Sequence, residues 1–174
     1  MIYFIRHGET DYNKNKRFQG HLDIPLNQKG IVQANLALET TKSIKIDKIY
    51  YSPLLRAKKT AEIINSFHNA TMIPDERIKE INMGSLQGKC KDKLKNFEKL
   101  LAYSNPERFG GESHKEFCAR VKSFLDEIIN SHENILIVSH GGVYRAIYKT
   151  MHNLDDMQFE LEPLPNASIV TIKE

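Results

Sequence analysis

The residues of this sequence best suited to catalysis are two histidines and two arginines: His7, His140, Arg6 and Arg56. A guanidinium group offers planar, bidentate donors that match the oxygens of a phosphate group. A neutral imidazole can attack phosphorus, and neighbouring arginines lower the pKa of a histidine, which favours that neutral form. These residue types together predict a site that binds a phosphate dianion and can take up its phosphoryl group.

Phosphoryl transfer from an ester also needs a group that protonates the departing alkoxide. Glu80 is the candidate, because a carboxyl group close to phosphate oxygens is protonated more easily. Glu9 and Glu76 are alternatives on chemistry alone.

The candidate residues come directly after predicted strands. Ile2 to Ile5 and Ile135 to Val138 are continuous apolar runs, typical of strands buried on both faces, and Asp47 to Tyr51 predicts a shorter strand. Ligands of open α/β sheets bind beyond the carboxyl ends of the strands. We therefore expect three clusters to converge on one pocket: Arg6-His7, Ser52-Pro53 to Arg56, and Ser139-His140.

Helical patterns alternate with these strands. The spacing of apolar residues predicts a helix from about Gln28 to Thr41 and another from about Val143 to Met151. Ser52-Pro53 predicts a helix start, with the hydroxyl as N-cap and proline at the first helical position. Ser113 and Glu116 form a capping box before the clearest amphipathic helix.

The alternation of strands and helices predicts a single α/β domain over residues 1–174, with three α/β/α layers and a mainly parallel sheet. Ser168 to Ile172 has the alternating pattern of an edge strand that closes this sheet. Residues 82–111 have weak periodicity, and we expect a partly helical excursion over the surface, called here the lid segment.

Composition narrows the function classes. A net charge of +3 without a recognisable binding motif argues against a nucleic-acid partner. The opening residues are too short an apolar run for a signal peptide or a membrane span, so we expect a cytoplasmic protein without membrane contact. Cys90 and Cys118 show no pairing logic, which fits a reducing compartment.

Other catalytic chemistries lack their motifs. No H-E-x-x-H or H-x-H spacing occurs, so we expect no metal ion and no other cofactor. No P-loop pattern occurs, and Ser139 lacks the G-x-S-x-G setting of a nucleophilic serine. The expected partner is a small phosphorylated substrate; the oligomeric state is open. We expect His21, His68, His114, His132 and His152 to be surface or capping residues.

Five segments resemble the histidine phosphatase superfamily, in its phosphoglycerate mutase-like branch, and the resemblance covers nearly the whole chain. In order, they are Arg6-His7-Gly8-Glu9-Thr10-x-x-Asn13, Gln19-Gly20-x-x-Asp23-x-Pro25-Leu26, Ser52-Pro53-Leu54-x-Arg56-Ala57-x-x-Thr60-Ala61, Glu80-x-x-x-Gly84 and Ser139-His140-Gly141-Gly142.

The resemblance implies a role for each matching position. His7 would become phosphohistidine, and Glu80 would act first as acid and then as the base that activates water. Arg6, Arg56 and a cationic His140 would hold the transferring phosphoryl group. Further substrate contacts would come from Asn13, Gln19, Gly20 and Gly141.

Three functions compete at this point: a phosphomonoester phosphatase, a phosphoglycerate mutase and a non-catalytic binder of phosphorylated ligands. The short lid segment and Gly142, where mutases usually have asparagine, favour the phosphatase. A binder has no need of both a nucleophile and an acid. Gly110-Gly111-Glu112-Ser113 resembles small bacterial members of the family, which makes α-ribazole 5'-phosphate one candidate substrate.

Overall fold

Five strands form one sheet in the computed structural model, which describes residues 1–96, 102–154 and 164–173. They are β1 (Ile2–Arg6), β2 (Lys48–Tyr51), β3 (Thr71–Pro74), β4 (Ile135–Ser139) and β5 (Ile169–Lys173). Their spatial order is β3-β2-β4-β1-β5, with parallel pairing except for β5, which lies antiparallel to β1 at the edge. The mainly parallel sheet and its closing edge strand confirm the prediction.

Helices connect these strands. They are α1 (Asp11–Lys14), α2 (Gln28–Thr41), α3 (Leu55–His68), α4 (His114–Ile128) and α5 (Gly141–His152). The bounds of α2 are those predicted, and α4 begins with the predicted capping box between Ser113 and Glu116. Helix α5 begins two residues earlier than predicted, immediately after His140.

The helices cover both faces of the sheet. On β1, Phe4 points into a core shared with α4 and α5, and Ile5 points into a core shared with Ala37 of α2 and Ile64 of α3. This alternation follows from the two-residue period of a strand whose faces are both buried. The α/β fold with three layers is therefore confirmed.

The predicted helix start at Ser52-Pro53 is wrong. Helix α3 begins at Leu55, after Leu54 in an extended conformation that provides no side-chain cap. The Ser52 hydroxyl is instead buried beside the ring of His140, with its oxygen 2.7 Å from Nε2. Because the Ser52 hydroxyl bonds to His140 and does not cap a helix, the Ser-Pro pattern does not mark the start of α3.

The lid segment contains short 3-10 helices at Gly84–Leu86, Lys91–Lys93 and Pro106–Phe109. Met83, Leu86 and Ala102 pack with Phe18 in a small apolar cluster of their own. The described part of this segment is therefore anchored to the loop that follows α1. Within the described residues, no helix has both the length and the apolar character needed to cross a bilayer.

Candidate active site

The two histidines lie side by side at the carboxyl ends of the central strands. Arg6 of β1 is in register with Ser139 of β4, so His7 and His140 are the next residues along two adjacent parallel strands. The backbone N–H of His7 donates to the Ser139 carbonyl at 2.9 Å, and the ring centroids of the histidines are 5.2 Å apart. The predicted convergence of the clusters is thus present in the fold.

His7 is buried and held in one tautomer. Its Nδ1 lies 2.7 Å from the Gly8 carbonyl oxygen. Since a carbonyl only accepts hydrogen bonds, Nδ1 carries the hydrogen and Nε2 keeps a free lone pair. Burial lowers the pKa of His7 well below its ordinary value, and the charges of Arg56 and Arg6 lower it further. His7 therefore has the neutral form that was predicted, with burial as the largest cause.

His140 is fully buried, and its surroundings in the ligand-free site favour a neutral ring over the expected imidazolium. Burial first, and then the charges of Arg56, His7 and Arg6, lower the pKa of His140 well below its ordinary value. Its Nε2 contacts the Ser52 hydroxyl, while its buried Nδ1 has no hydrogen-bond partner among the described residues. The ring can still act as a neutral donor through one nitrogen.

The two arginines are fixed by backbone carbonyls. Arg56 is fully buried and donates from Nη1 to Leu22 and from Nη2 to Gly20, at 2.8 and 2.9 Å. Arg6 donates from Nη1 to the Leu164 carbonyl. These contacts use part of each guanidinium and leave its other N–H groups for a ligand.

Each arginine leaves its Nε for a ligand. Nε of Arg6 and Nε of Arg56 are both buried and have no partner within the described part of the chain. Burial lowers the pKa of Arg56 to about 10, which still leaves a cation at neutral pH.

Glu80 lies beside this cluster. Its carboxylate accepts from the Ile81 amide at 3.1 Å and from the Gly142 amide at 3.3 Å. Its charge raises the pKa of both Arg6 and Arg56, against the larger effect of their burial. The two alternative acids are paired elsewhere: Glu9 with Lys29, and Glu76 with Lys79. Glu80 is thus the carboxylate that acts on both arginines of the site and lies at the start of α5, the helix that directly follows His140.

The other predicted contact residues line the same region in different ways. Asn13 Oδ1 accepts from the Thr10 amide inside the capping box of α1, so its Nδ2 is the atom left to donate. Gln19 Oε1 lies 3.0 Å from the Thr10 hydroxyl. Gly141 is the first residue of α5, and a Cβ there would be 3.6 Å from Arg6 Nε.

Gly20 has a conformation that requires glycine. Its φ is +51°, and a Cβ at this position would come within 2.2 Å of the Gln87 side chain. Its carbonyl accepts from Arg56. In this structure Gly20 therefore helps to position the Arg56 side chain through its carbonyl oxygen.

Several residues that support the site were not predicted from the sequence. Thr60 accepts from the Gly8 amide at 3.1 Å, and Asn166 donates to the His7 carbonyl at 2.9 Å. Arg120 donates to the Glu80 carbonyl at 3.0 Å. The Ser52 contact with His140 was masked by its resemblance to a helix cap. Asn166 follows no periodic pattern, so no signal pointed to it.

His21 differs from the prediction of a surface or capping residue. It is half-buried, and its Nε2 lies 2.8 Å from the Glu80 carbonyl oxygen. Burial lowers the pKa of His21. Arg120 and His21 thus both bond to the Glu80 carbonyl oxygen.

A family profile matches almost the whole of this chain. The profile described as histidine phosphatase superfamily (branch 1) matches residues 2–174. The chain belongs to the histidine phosphatase superfamily. Among the described residues, no group of three or more histidine, cysteine, aspartate or glutamate side chains could hold a metal ion.

Members of the superfamily with curated names include phosphatases and mutases. A putative phosphoserine phosphatase 2 from Hydrogenobacter thermophilus is 39% identical over 153 residues, which are 84% of this chain and 75% of that protein. A probable phosphoglycerate mutase from Salmonella choleraesuis is 34% identical over 180 residues, covering 99% of this chain and 84% of that protein.

Solved structures of the superfamily have the same fold. A mycobacterial glucosyl-3-phosphoglycerate phosphatase in complex with VO3 gives a TM-score of 0.81 at 27% identity, over 97% of this chain and 88% of the other. A phosphoglycerate mutase from Thermus thermophilus gives 0.74 at 28% identity, over 97% and 90%. Membership of this superfamily and its phosphatase-named relatives identify the chain as a phosphatase, a hydrolase.

Proposed function

We propose that this protein hydrolyses the phosphate monoester of a small metabolite through a phosphohistidine intermediate on Nε2 of His7, without a metal ion. One observation supports this most strongly. Three buried nitrogens belong to side chains that neighbour His7 or act on its charge, and they lack partners among the described residues: Arg6 Nε, Arg56 Nε and His140 Nδ1, which is a donor when it carries the ring hydrogen. Buried donors without partners are costly, and a phosphoryl group would satisfy all three.

The first step forms the phosphohistidine. The Nε2 lone pair of His7 attacks phosphorus, the bond from phosphorus to the ester oxygen breaks, and Glu80 gives its proton to the departing alkoxide. The Nδ1–H bond to Gly8 keeps the reactive nitrogen unprotonated. The three donors stabilise the charge on the equatorial oxygens, which is the role that positive groups have in phosphoryl transfer.

The second step releases phosphate. Glu80, now a carboxylate, takes a proton from water as the water oxygen attacks phosphorus and the bond from phosphorus to Nε2 breaks. One carboxyl group serves both steps, because the proton lost in the first is regained in the second. The Ile81 and Gly142 amides hold the Glu80 carboxylate at the start of α5, where Gly142 lies two residues after His140.

The names of the relatives indicate which class of substrates to expect for this chain. Phosphoserine, phosphoglycerate and glucosyl-3-phosphoglycerate are phosphate esters of small hydroxy acids or their glycosides. We propose this class for this chain. α-Ribazole 5'-phosphate remains a prediction of the sequence, since the relatives described above carry other names.

Mutase activity is the second candidate, because a relative named as a probable mutase aligns with 99% of this chain. Gly142 favours the phosphatase, since mutases of the family usually have asparagine at this position. Interconversion of 2- and 3-phosphoglycerate, measured together with phosphate release, separates the two activities.

The central test is the chemistry of His7. We expect His7→Gln to lose hydrolysis of p-nitrophenyl phosphate by at least ~10³-fold, because it removes the nucleophile. The wild-type protein, quenched during turnover of a ³²P-labelled ester, should carry an acid-labile, base-stable phosphate that His7→Gln lacks. His132→Gln, at an exposed position away from the site, is the matched control and should behave as wild type. Full activity in His7→Gln would contradict the proposal.

A further inference from the structure

A buried hydroxyl is bonded to the ring of His140. Ser52 and His140 are both 0% exposed, and Ser52 Oγ lies 2.7 Å from His140 Nε2. The backbone fixes both ends of this contact: the Ser52 amide donates to the Val138 carbonyl at 3.0 Å, and His140 follows β4 directly. Two groups 88 residues apart in the chain are thus held in one geometry.

The direction of this hydrogen bond follows from the neighbours of the hydroxyl. The Leu54 amide lies 3.4 Å from Ser52 Oγ and can only donate to it. A hydroxyl has one hydrogen and two lone pairs, so accepting from Leu54 alone does not set the direction. Among the described residues, however, Ser52 Oγ has no acceptor within reach other than His140 Nε2, so its buried hydrogen is bonded only when it is donated to that nitrogen.

The opposite tautomer fits the site poorly. If Nε2 carried the hydrogen, the lone pair of Nδ1 would be the group left for a ligand. Nδ1 is buried and has no partner among the described residues. A lone pair there would repel the oxygens of a phosphate dianion, whereas an N–H would bind one of them.

We propose that Ser52 is a positioning residue that donates its hydroxyl hydrogen to Nε2 of His140 and thereby fixes the ring hydrogen on Nδ1, so that His140 binds the phosphoryl group as a neutral donor. This rests on the proposed phosphatase function. Both histidines of the site then carry their hydrogen on Nδ1. The Nε2 atom of His7 is the one that reacts, whereas the Nε2 atom of His140 accepts a hydrogen bond from Ser52.

The charged groups around His140 agree with a neutral ring. Arg56, Arg6 and Arg120 all carry positive charges that act on it, and His7 is its ring neighbour. A fourth positive charge on His140 would be unfavourable in the ligand-free site. A neutral donor keeps the hydrogen bond to phosphate without that repulsion.

A double-mutant cycle tests the dependence of Ser52 on His140. We expect Ser52→Ala to lower kcat/KM for p-nitrophenyl phosphate roughly 10-fold to 100-fold, because His140 would then lose its hydrogen bond to the charged phosphoryl group. His140→Ala should lower it at least as much, and the double variant should equal His140→Ala, because Ser52 acts only through that ring. Ser66→Ala, an exposed serine on α3, is the control and should be unchanged. Additive losses would overturn the proposal.

The tautomer itself is measured on the wild-type protein, so the test does not depend on a variant that folds. Long-range ¹H–¹⁵N correlation with ¹⁵N-labelled histidine, with and without inorganic phosphate, should show His140 protonated at Nδ1 and unprotonated at Nε2. A hydrogen on Nε2, in either the neutral or the doubly protonated ring, would overturn the proposal. Failure of the proposed function is a separate result, namely the absence of ester hydrolysis, and leaves this measurement valid.

Discussion

The position of the candidate acid depends on a residue that has no side chain. Glu80 lies against the first turn of α5, where its carboxylate accepts from the Gly142 amide. A Cβ at position 142 would come within 2.2 Å of Glu80 Oε1 and 3.4 Å of Phe117. Because the carboxylate is the flexible end of its side chain, it would be displaced rather than the helix. Gly142 thus sets the place of the candidate acid.

We therefore expect Gly142→Ala to change the dependence of kcat on the leaving group in the same way as Glu80→Gln. Both should lower kcat about 10²-fold to 10⁴-fold for alkyl phosphates, whose leaving groups need a proton, with Glu80→Gln the more severe. Both should have much less effect on p-nitrophenyl phosphate, whose leaving group departs as a stable anion. The measurement is kcat across esters of increasing leaving-group pKa.

Glu76→Gln is the matched control, since Glu76 is exposed and pairs with Lys79. It should give the wild-type dependence on the leaving group. An equal loss across all esters in Glu80→Gln would show that another residue is the acid.

Residue types in this site were predictable, and their partners were not. His7, His140, Arg6 and Arg56 follow strands, and the rule that ligands bind at the carboxyl ends of a sheet brings them together. The atoms that restrain them are carbonyls and amides of irregular loops, such as those of Gly20 and Leu164. Backbone groups have no sequence signature, so the partial occupation of each guanidinium could not be foreseen.

At the scale of elements, the start of α2 supports the loop that carries His7. A Cβ on Gly30, in the first turn of α2, would come within 2.0 Å of the Glu9 carbonyl oxygen, and one on Gly8 would come within 2.4 Å of the Gly30 carbonyl oxygen. Two glycines therefore allow close backbone contact between the helix and the residues after β1.

This contact should reverse the usual effect that replacing a helical glycine with alanine has on stability. Gly→Ala in the interior of a helix commonly stabilises by up to ~1 kcal/mol. We expect Gly30→Ala to destabilise by about 1–3 kcal/mol instead, because the methyl group meets backbone that cannot move aside cheaply. Urea unfolding gives the free energy, and kcat should also fall as the His7 loop shifts.

Asn35→Ala is the comparison for Gly30→Ala, at an exposed position one turn further along α2. It should leave the free energy of unfolding within about 0.5 kcal/mol of wild type. Stabilisation by Gly30→Ala would show that the helix and the loop are not in close contact.

Element boundaries were predictable where local chemistry determines them. Helix α4 begins where its capping box places it, and α2 has the predicted bounds with Asn27 as its cap. The predicted start of α3 was wrong because the Ser52 hydroxyl bonds to His140, and this tertiary contact leaves no local sequence pattern. Strand β3 was not predicted, because Thr71–Pro74 is short, half-exposed and ends in proline.

At the scale of the whole molecule, the site lowers the stability of the fold in acid. His7 and His140 have a lower pKa in the folded chain than the ordinary histidine value of 6.5. The unfolded chain therefore binds more protons once the pH falls below that value, and stability rises with pH. This contribution is complete above pH 6.5 and is lost progressively towards the folded-state pKa.

We expect the free energy of unfolding to fall between pH 7.5 and pH 5.5 more steeply in wild type than in His7→Gln/His140→Gln. Each histidine contributes at most about 1.4 kcal/mol per pH unit to the slope. The measurement is urea unfolding in phosphate-free buffer at several pH values. His132→Gln/His152→Gln, at exposed positions, should keep the wild-type slope. Equal slopes in all three proteins would contradict this account of the buried rings.

The order of strands in the sheet also determines when a growing chain becomes an enzyme. Strand β1 is made first, yet its two neighbours, β4 and β5, are the last strands to be synthesised. Until they emerge, β1 has no partner on either side, and His7 has neither His140 beside it nor Asn166 behind it. The ribosome must therefore deliver the chain as far as β5 before the first phosphate ester can be cleaved. Chains released early should be inactive, and their apolar first strand would be open to chaperones and to aggregation.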